Sequence, residues 1–221
     1  MQPFQPPKAA RATNAIVIFC VAVQVIASLA GPSFLAQLAV RAGLIPGRLT
    51  GVIDLGIAAV PAPLTLLTSL FIHGGWLHLV LNLLFLLIVG RMVEWVVGPG
   101  RLVLIFLIGG LAGGLLQTLV TPESALPVIG ASGAIAAVFA CYATLFARRR
   151  ANPRRVLGMT ISSEFLTALW FAAVWIGLQL MTGAAFNGQG GGVAIWAHIG
   201  GFVVGLVVAR PLSRRPRSNL V

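Results

Sequence analysis

Six apolar runs, separated by arginines, prolines and glycines, constrain the fold of this chain more than any other feature of its sequence. Of the 221 residues, 58% are hydrophobic and 9% are charged, which is typical of a polytopic membrane protein and not of a soluble domain. Each run, with its flanking residues, is long enough to cross a hydrocarbon core about 30 Å thick. We therefore predict an all-α membrane protein with six spans, at residues 15–30, 76–93, 102–120, 132–146, 165–181 and 193–209.

The segments outside these runs divide the chain into an N-terminal arm, a six-span domain and a basic tail, at residues 1–13, 14–210 and 211–221. The first loop, residues 31–75, contains four prolines. Because proline interrupts a helix, the pieces between the prolines are too short to cross a bilayer. We expect this loop to form interfacial helices or irregular structure.

The basic residues predict the orientation of the spans. Six spans place both termini on one side, and of the 15 lysines and arginines only Arg41 and Arg48 lie on the other side. The positive-inside rule then predicts that both termini are cytoplasmic, and we expect a multi-pass protein of the plasma (inner) membrane. Topology and contact with anionic lipid account for the net charge of +11, so we expect no nucleic-acid partner.

A Gly-Ala-Ser-Gly motif at residues 130–133 stands at the start of the fourth span. The small neighbours Gly130 and Gly133 leave space around the hydroxyl of Ser132 and allow another backbone to approach. The unpaired N–H groups of the first helical turn point toward that space, which suits a nucleophile that needs an oxyanion site. For this motif alone, a serine that only caps the helix remains the alternative.

Two histidines share the depth of this serine. Counted back from the arginines that end their spans, Ser132, His78 and His198 lie 16, 13 and 12 residues away. At the α-helical rise these separations correspond to roughly 24, 20 and 18 Å above the cytoplasmic side, which is within the membrane. Polar groups at such depth normally face a bundle interior or a water-filled cavity. The three residues therefore predict one polar site that opens toward the outer side.

The flanking residues add detail to this prediction. His78 and Asn82 are four residues apart on one helix face and can both donate hydrogen bonds to a common point, although interhelical hydrogen bonding is an alternative role. His73 precedes the helix and is expected to support the loop. Gly201 and Gly205 form a small-residue pair that packs helices closely, and close packing would bring His198 within reach of Ser132.

Three motifs in this order, HGGWLHxxxN at residues 73–82, GASG at 130–133 and AHIGG at 197–201, resemble those of the rhomboid intramembrane serine proteases. The resemblance covers residues 60–210. It implies a six-helix rhomboid-like bundle in which residues 31–75 are the family's membrane-embedded first loop. It also implies a catalytic dyad, with Ser132 as nucleophile and His198 as general base.

Further roles follow from the same resemblance. His78, Asn82 and the backbone N–H of Ser132 would stabilise the oxyanion, and Glu94 would be structural, at the turn after the second span. Lateral substrate access between the second and fifth spans would pass a gate of bulky side chains, Trp170, Phe171 and Trp175. The alternative role for these three is that of ordinary packing or lipid-facing aromatics. The glycine-rich segment 187–192, around Gly190, would form a cap over the site or an ordinary turn.

The implied activity is an endopeptidase that cleaves single-span transmembrane proteins near the outer face of the membrane. Only four acids are present, and Glu123 alone lies near Ser132 in sequence, so a third member of a triad is not expected. Two cysteines without ligand spacing predict neither a metal site nor a cofactor.

Two positions depart from the family pattern. Ala136 stands where members often carry an aromatic residue four positions after the serine, and residues 62–65 read Ala-Pro-Leu-Thr where a Trp-Arg pair is common. The first departure keeps open an inactive rhomboid-like protein that binds transmembrane clients. A transporter or channel is a further class, but it predicts paired charges or helices broken in corresponding halves, and the sequence has neither.

Overall fold

The structure is a computed structural model that describes residues 10–146, the backbone of 154–156 and 159–161, residues 170, 173 and 177, and residues 194–212. Within this part, the regular secondary structure is helical apart from an isolated bridge between Leu44 and Val128 and a short antiparallel hairpin of β1, Arg154–Val156, and β2, Met159–Ile161. The predicted all-helical class is confirmed, and the hairpin lies in the arginine-rich connection after the fourth apolar run.

The helices of the described part follow the apolar runs closely. In chain order they are α1 Arg11–Leu29, α2 Pro32–Ala42, α3 Pro46–Leu49, α4 Ala62–Thr68, the 3-10 turn Ser69–Phe71, α5 Trp76–Val97, α6 Pro99–Val120, α7 Ser132–Phe146 and α8 Ile195–Leu212. Three of them, α1, α5 and α6, are long and apolar enough to cross a membrane, and α7 and residues 195–209 of α8 are shorter apolar helices. Most of the fifth predicted span, residues 165–181, lies outside the described residues.

The prolines of the first loop begin helices. Each of α2, α3 and α4 carries proline in its first two positions. The missing N–H of proline costs little there, because the first N–H groups of a helix have no partner within the helix. The loop is therefore a chain of short helices, none of which is long enough to cross a bilayer.

Glycines bring α8 against both α6 and α7. A Cβ added at Gly201 would overlap the carbonyl oxygen of Gly133 in α7, and one added at Gly205 would overlap that of Ala137, one turn further along. Successive turns of the two helices thus meet in the same direction, so α8 runs parallel to α7. On its other side α8 meets α6, where a Cβ at Gly113 would overlap the carbonyl oxygen of Ala197. The packing role predicted for Gly201 and Gly205 is confirmed.

Glu94 connects the end of α5 to the beginning of α1. Its carboxylate accepts hydrogen bonds from the backbone N–H of Ala12 at 2.9 Å, from the N–H of Thr13 at 2.8 Å and from the Thr13 hydroxyl at 2.8 Å. These N–H groups belong to the first turn of α1, where a negative charge is also favoured by the helix dipole. The helix consequently begins at Arg11 and not near residue 15, where the predicted first span began.

We predict that Glu94→Gln lowers the free energy of unfolding by about 2–3 kcal/mol. The amide keeps one acceptor oxygen and turns an N–H donor toward backbone donors, so part of the cap on α1 is lost. Unfolding by SDS titration of the purified protein in mixed micelles measures the change. Asp54→Asn makes the same chemical change on an exposed carboxylate and should alter the stability by less than about 0.5 kcal/mol. Equal effects of the two substitutions would contradict this role of Glu94.

Candidate active site

Ser132 and His198 are hydrogen-bonded to each other. Ser132 is the first residue of α7, His198 lies in the first turn of α8, and the Oγ atom of the serine is 2.7 Å from Nε2 of the histidine. Both side chains are buried, with 8% and 4% of their surfaces exposed. A hydroxyl and an imidazole nitrogen at this distance are within the range required for proton transfer.

The main chains beside these two residues explain their proximity. Gly133 follows the serine and Ala197 precedes the histidine, and a Cβ added at Gly133 would lie 3.1 Å from the carbonyl oxygen of Ala197. One turn later, Gly201 leaves no room for a side chain between α8 and the carbonyl of Gly133. The small residues therefore allow the two backbones to touch, and the side chains of Ser132 and His198 meet across the contact.

His78 presents its Nε2 atom to the region in front of Ser132. Its Nδ1 atom accepts a hydrogen bond from the backbone N–H of Gly74 at 3.3 Å, so in the neutral ring the proton lies on Nε2. A Cβ added at Gly130 would lie 2.8 Å from this Nε2 and 3.9 Å from Oγ of Ser132. The space left by the absent side chain of Gly130, whose φ is +116°, thus lies between the imidazole donor and the hydroxyl.

Asn82 lies one turn after His78 on α5 and is 1% exposed. Its Nδ2 atom donates a hydrogen bond to the backbone carbonyl of His78 at 2.8 Å. One of its two amide hydrogens is therefore engaged within α5, and one remains for another acceptor. The spacing of His78 and Asn82 predicts that both donate to a common point, and the bond within the helix is not part of that prediction.

His73 contacts the chain immediately before the serine. Its Nε2 atom accepts a hydrogen bond from the N–H of Ala131 at 3.4 Å, and its ring lies edge-on to that of His78 with 5.2 Å between centroids. His73 lies between the 3-10 turn and α5, outside the helices. Burial, with a smaller contribution from His78, lowers the pKa of His73 to about 3, so the ring is a neutral acceptor at physiological pH.

The loop that leads to Ser132 is held by the first loop over most of its length. Backbone hydrogen bonds join the two segments at three points, Gly47 to Ser124, Leu44 to Val128 and Gly130 to Ser69. The middle point is an antiparallel bridge with bonds of 3.1 and 2.7 Å in both directions. The start of α7 is therefore fixed by backbone contacts from residues far earlier in the chain, for which the sequence carries no local signal.

The remaining candidates are the residues that the sequence predicts for the gate and the cap. Trp170 is 67% exposed, whereas Phe171, Trp175, Gly190 and the rest of the predicted cap, residues 187–192, lie outside the described residues.

Ala136 is fully buried one turn after Ser132. Aromatic rings gather further along, where Phe139 lies 5.0 Å from Phe85 and 6.5 Å from Phe202, measured between ring centroids.

Sequence reasoning missed one contact of this region. The side-chain oxygen of Gln117 in α6 accepts a hydrogen bond from the N–H of Ala197, the residue before His198, at 3.3 Å. A glutamine within an otherwise apolar span is the signal that could have revealed it, because a polar side chain at that depth needs a partner.

The fold and the site together define a helical membrane protein that buries a hydrogen-bonded serine–histidine pair beneath the ends of its apolar helices. The chain belongs to the rhomboid family, since the Rhomboid domain matches residues 62–215.

Several curated proteins share this domain. The chain is 32% identical over 161 residues to Rhomboid-like protein 11, chloroplastic, from Arabidopsis thaliana, which covers 72% of this chain and 56% of that protein. It is 33% identical over 147 residues to the rhomboid protease GluP of Bacillus subtilis, covering 66% of this chain and 25% of the relative. With the rhomboid protease GlpG of Salmonella paratyphi A it shares 28% identity over 142 residues, covering 64% and 46%. The chain thus spans between a quarter and just over half of the length of these relatives.

We predict that Gly201→Ala lowers the free energy of unfolding by about 1–3 kcal/mol, because the added methyl group must displace the backbone of α7 at Gly133. SDS-induced unfolding measures the loss. Gly100→Ala is the matched control, since a Cβ at Gly100 would meet nothing within 4 Å. The control should leave the stability unchanged or raise it slightly. A Gly201→Ala protein as stable as this control would contradict the contact between α7 and α8.

Proposed function

We propose that this chain is an intramembrane serine endopeptidase that cleaves transmembrane-helix substrates near the outer face of the membrane. The observation that carries the proposal is the 2.7 Å contact between Oγ of Ser132 and Nε2 of His198. Membership of the rhomboid family supports it, because relatives in this family include proteins named rhomboid proteases.

The proposed reaction begins with proton transfer within this pair. Ser132 donates its hydroxyl hydrogen to Nε2 of neutral His198 while Oγ attacks the carbonyl carbon of the scissile peptide bond. The resulting tetrahedral oxyanion collapses when the imidazolium gives its proton to the leaving amine, which produces an acyl-enzyme and the first product. A water molecule then gives a proton to the same imidazole and attacks the ester carbonyl. The second tetrahedral oxyanion collapses as the imidazolium returns this proton to Oγ, which breaks the ester bond, releases the second product and restores the serine hydroxyl and the neutral imidazole.

The oxyanion would be stabilised by three donors, one each from His78, Asn82 and the backbone of Ser132. The Nε2–H of His78 faces the space beside Gly130, the second amide hydrogen of Asn82 is free of the bond within α5, and the N–H of Ser132 lies at the start of α7. A well-placed donor of this kind contributes about 2.7–4 kcal/mol of transition-state stabilisation.

The same proposal includes the arrangement in the membrane. We propose six spans with a membrane-embedded first loop, an N-terminal arm at residues 1–13, a domain at 14–210 and a cytoplasmic tail at 211–221, in the plasma (inner) membrane. The distribution of arginines supports cytoplasmic termini. The parallel packing of α7 and α8 supports a site at one end of the bundle, and by the same topology this end faces outward.

The proposed substrates are single-span membrane proteins. The backbone of a substrate helix is fully hydrogen-bonded within itself and must unwind before its carbonyl can be attacked. Small residues or proline near the cleavage point should favour this step. Trp170, with Phe171 and Trp175, is proposed as a lateral gate, and the segment around Gly190 as a cap. Trp170 is 67% exposed, as both a lateral gate and an ordinary lipid-facing aromatic would be.

A second candidate function is an inactive rhomboid-like protein that holds transmembrane clients. Ala136 favours it, because no aromatic side chain stands at the position where members often support the catalytic histidine. Its expected behaviour differs from that of a protease: helices would bind without being cut, and Ser132 would not react with an active-site reagent.

We predict that a fluorophosphonate probe labels Ser132 of the lipid-reconstituted protein and that Ser132→Ala and His198→Ala abolish both labelling and cleavage. Intact mass and peptide mapping locate the label, and a panel of single-span helices reports cleavage. Ser124→Ala, which removes another serine of the loop before α7, should leave both unchanged. Cleavage by the Ser132→Ala protein would overturn the mechanism, and an unlabelled wild-type protein that still binds the helices would favour the inactive reading.

We predict that His78→Ala lowers kcat by about 100- to 1,000-fold with little change in KM, because the lost donor acts on the oxyanion and not on the bound peptide. Steady-state cleavage of a fluorogenic transmembrane substrate separates the two constants. Leu77→Ala is the control, since Leu77 is the residue before His78 in α5 and its side chain is half-exposed. Thermal unfolding of both variants checks that the fold is retained. A kcat within about threefold of the control would contradict this role of His78.

A further inference from the structure

Gln117 joins α6 to the first turn of the helix that carries His198. Its side chain is 9% exposed, and its Oε1 atom accepts a hydrogen bond from the N–H of Ala197 at 3.3 Å. The two residues are 80 positions apart in the sequence. Neither the motifs nor the proposed mechanism assigns Gln117 a role.

The orientation of the Gln117 amide is fixed by Thr121. The hydroxyl of Thr121 donates to the backbone carbonyl of Gln117 at 2.8 Å, so toward the side chain it can act only as an acceptor. It therefore accepts from Nε2 of Gln117, at 3.1 Å. This contact leaves Oε1 facing α8, which is the atom that the N–H of Ala197 requires.

The peptide groups on both sides of Ala197 are held. Its N–H is shared between Gln117 and the carbonyl of Ala194, a three-centre arrangement common at helix ends. Its carbonyl oxygen lies against Gly113 of α6, where a Cβ would overlap it, and against Gly133 of α7, where a Cβ would lie 3.1 Å away. Although Ile195 and Trp196 at the start of α8 are exposed, Ala197 is only 7% exposed, so water has little access to replace these partners.

We propose that Gln117 is a positioning residue that fixes the first turn of α8 and thereby keeps the imidazole of His198 within hydrogen-bonding distance of the Ser132 hydroxyl. The step from position to rate rests on the proposed function. A general base that is displaced by a fraction of an ångström adopts the geometry needed for nucleophilic attack less often, although every group that contacts the transition state is still present. Loss of the Gln117 contact should therefore reduce kcat and leave KM almost unchanged.

The test compares three variants of the full chain in lipid vesicles. Gln117→Met keeps the length and volume of the side chain and removes the acceptor. Gln117→Glu, in its neutral form, restores an acceptor oxygen toward Ala197 and an O–H donor toward Thr121. Thr118→Val is the matched control, because the buried hydroxyl of Thr118 bonds only to the carbonyl of Gly114 within α6 in the described structure.

We expect Gln117→Met to lower kcat and the rate of fluorophosphonate labelling by about tenfold or more, with KM within twofold of the wild type. Gln117→Glu should recover most of the lost rate, and Thr118→Val should match the wild type. A purely structural role would lower stability without this difference between Met and Glu. Equal kcat in the Gln117→Met and Thr118→Val proteins, or equal loss in the Met and Glu variants, would overturn the inference.

Hydrogen–deuterium exchange of peptides covering residues 194–201 provides a readout that does not require activity. The amide hydrogens of this segment should exchange faster in the Gln117→Met protein than in the Thr118→Val protein. Equal exchange in the two proteins would overturn the inference, whether or not the wild-type protein is active. If the wild-type protein neither labels nor cleaves, the proposed function fails, whereas the exchange comparison still decides whether Gln117 holds the first turn of α8. Failures of the two proposals are thus distinguishable.

Discussion

The contact between the backbones of α7 and α8 is the interaction on which the site depends. In an apolar environment helices gain little from burying apolar side chains against each other, so close packing and hydrogen bonds must hold them together. At Gly133 and Gly201 the absence of side chains lets one backbone rest on the other. Ser132 and His198 are the neighbours of this contact, so their separation is set by main-chain packing and not by flexible side chains.

A second constraint is that buried polar groups need partners. Three of the described polar side chains meet it at or just before the start of a helix, where backbone N–H groups are unpaired. Glu94 accepts from the first turn of α1, Gln117 accepts from the first turn of α8, and His73 accepts from the residue before α7. These contacts serve two purposes at once, because each satisfies a backbone donor and fixes where a helix begins.

The sequence predicted the parts of this arrangement that have a local signal. In the described part, apolar runs located α1, α5, α6, α7 and α8. Counting from the arginines predicted that Ser132, His78 and His198 share one depth, and the start of α7 at Ser132 is as expected. Contacts between distant segments carry no periodicity or motif. The bridge of Leu44 to Val128 could not be read from the sequence for that reason. The early start of α1 at Arg11 is a consequence of the same limit, since the group that caps it, Glu94, is more than eighty residues away.

Ala136 can be understood in the light of the helix packing. The buried face of α7 is rich in alanine, and Ala137 is where Gly109 of α6 and Gly205 of α8 both make their closest approach. Small residues here allow three helices to converge, and the aromatic side chains Phe139 and Phe202 pack together further along. A large ring at position 136 is therefore not the means by which this chain orients His198. The residue before the histidine is instead held at both of its peptide groups, by Gln117 and by the glycines of α6 and α7. An imidazole whose backbone is held in this way depends less on packing against an aromatic ring for its orientation, so alanine at position 136 is compatible with a working dyad.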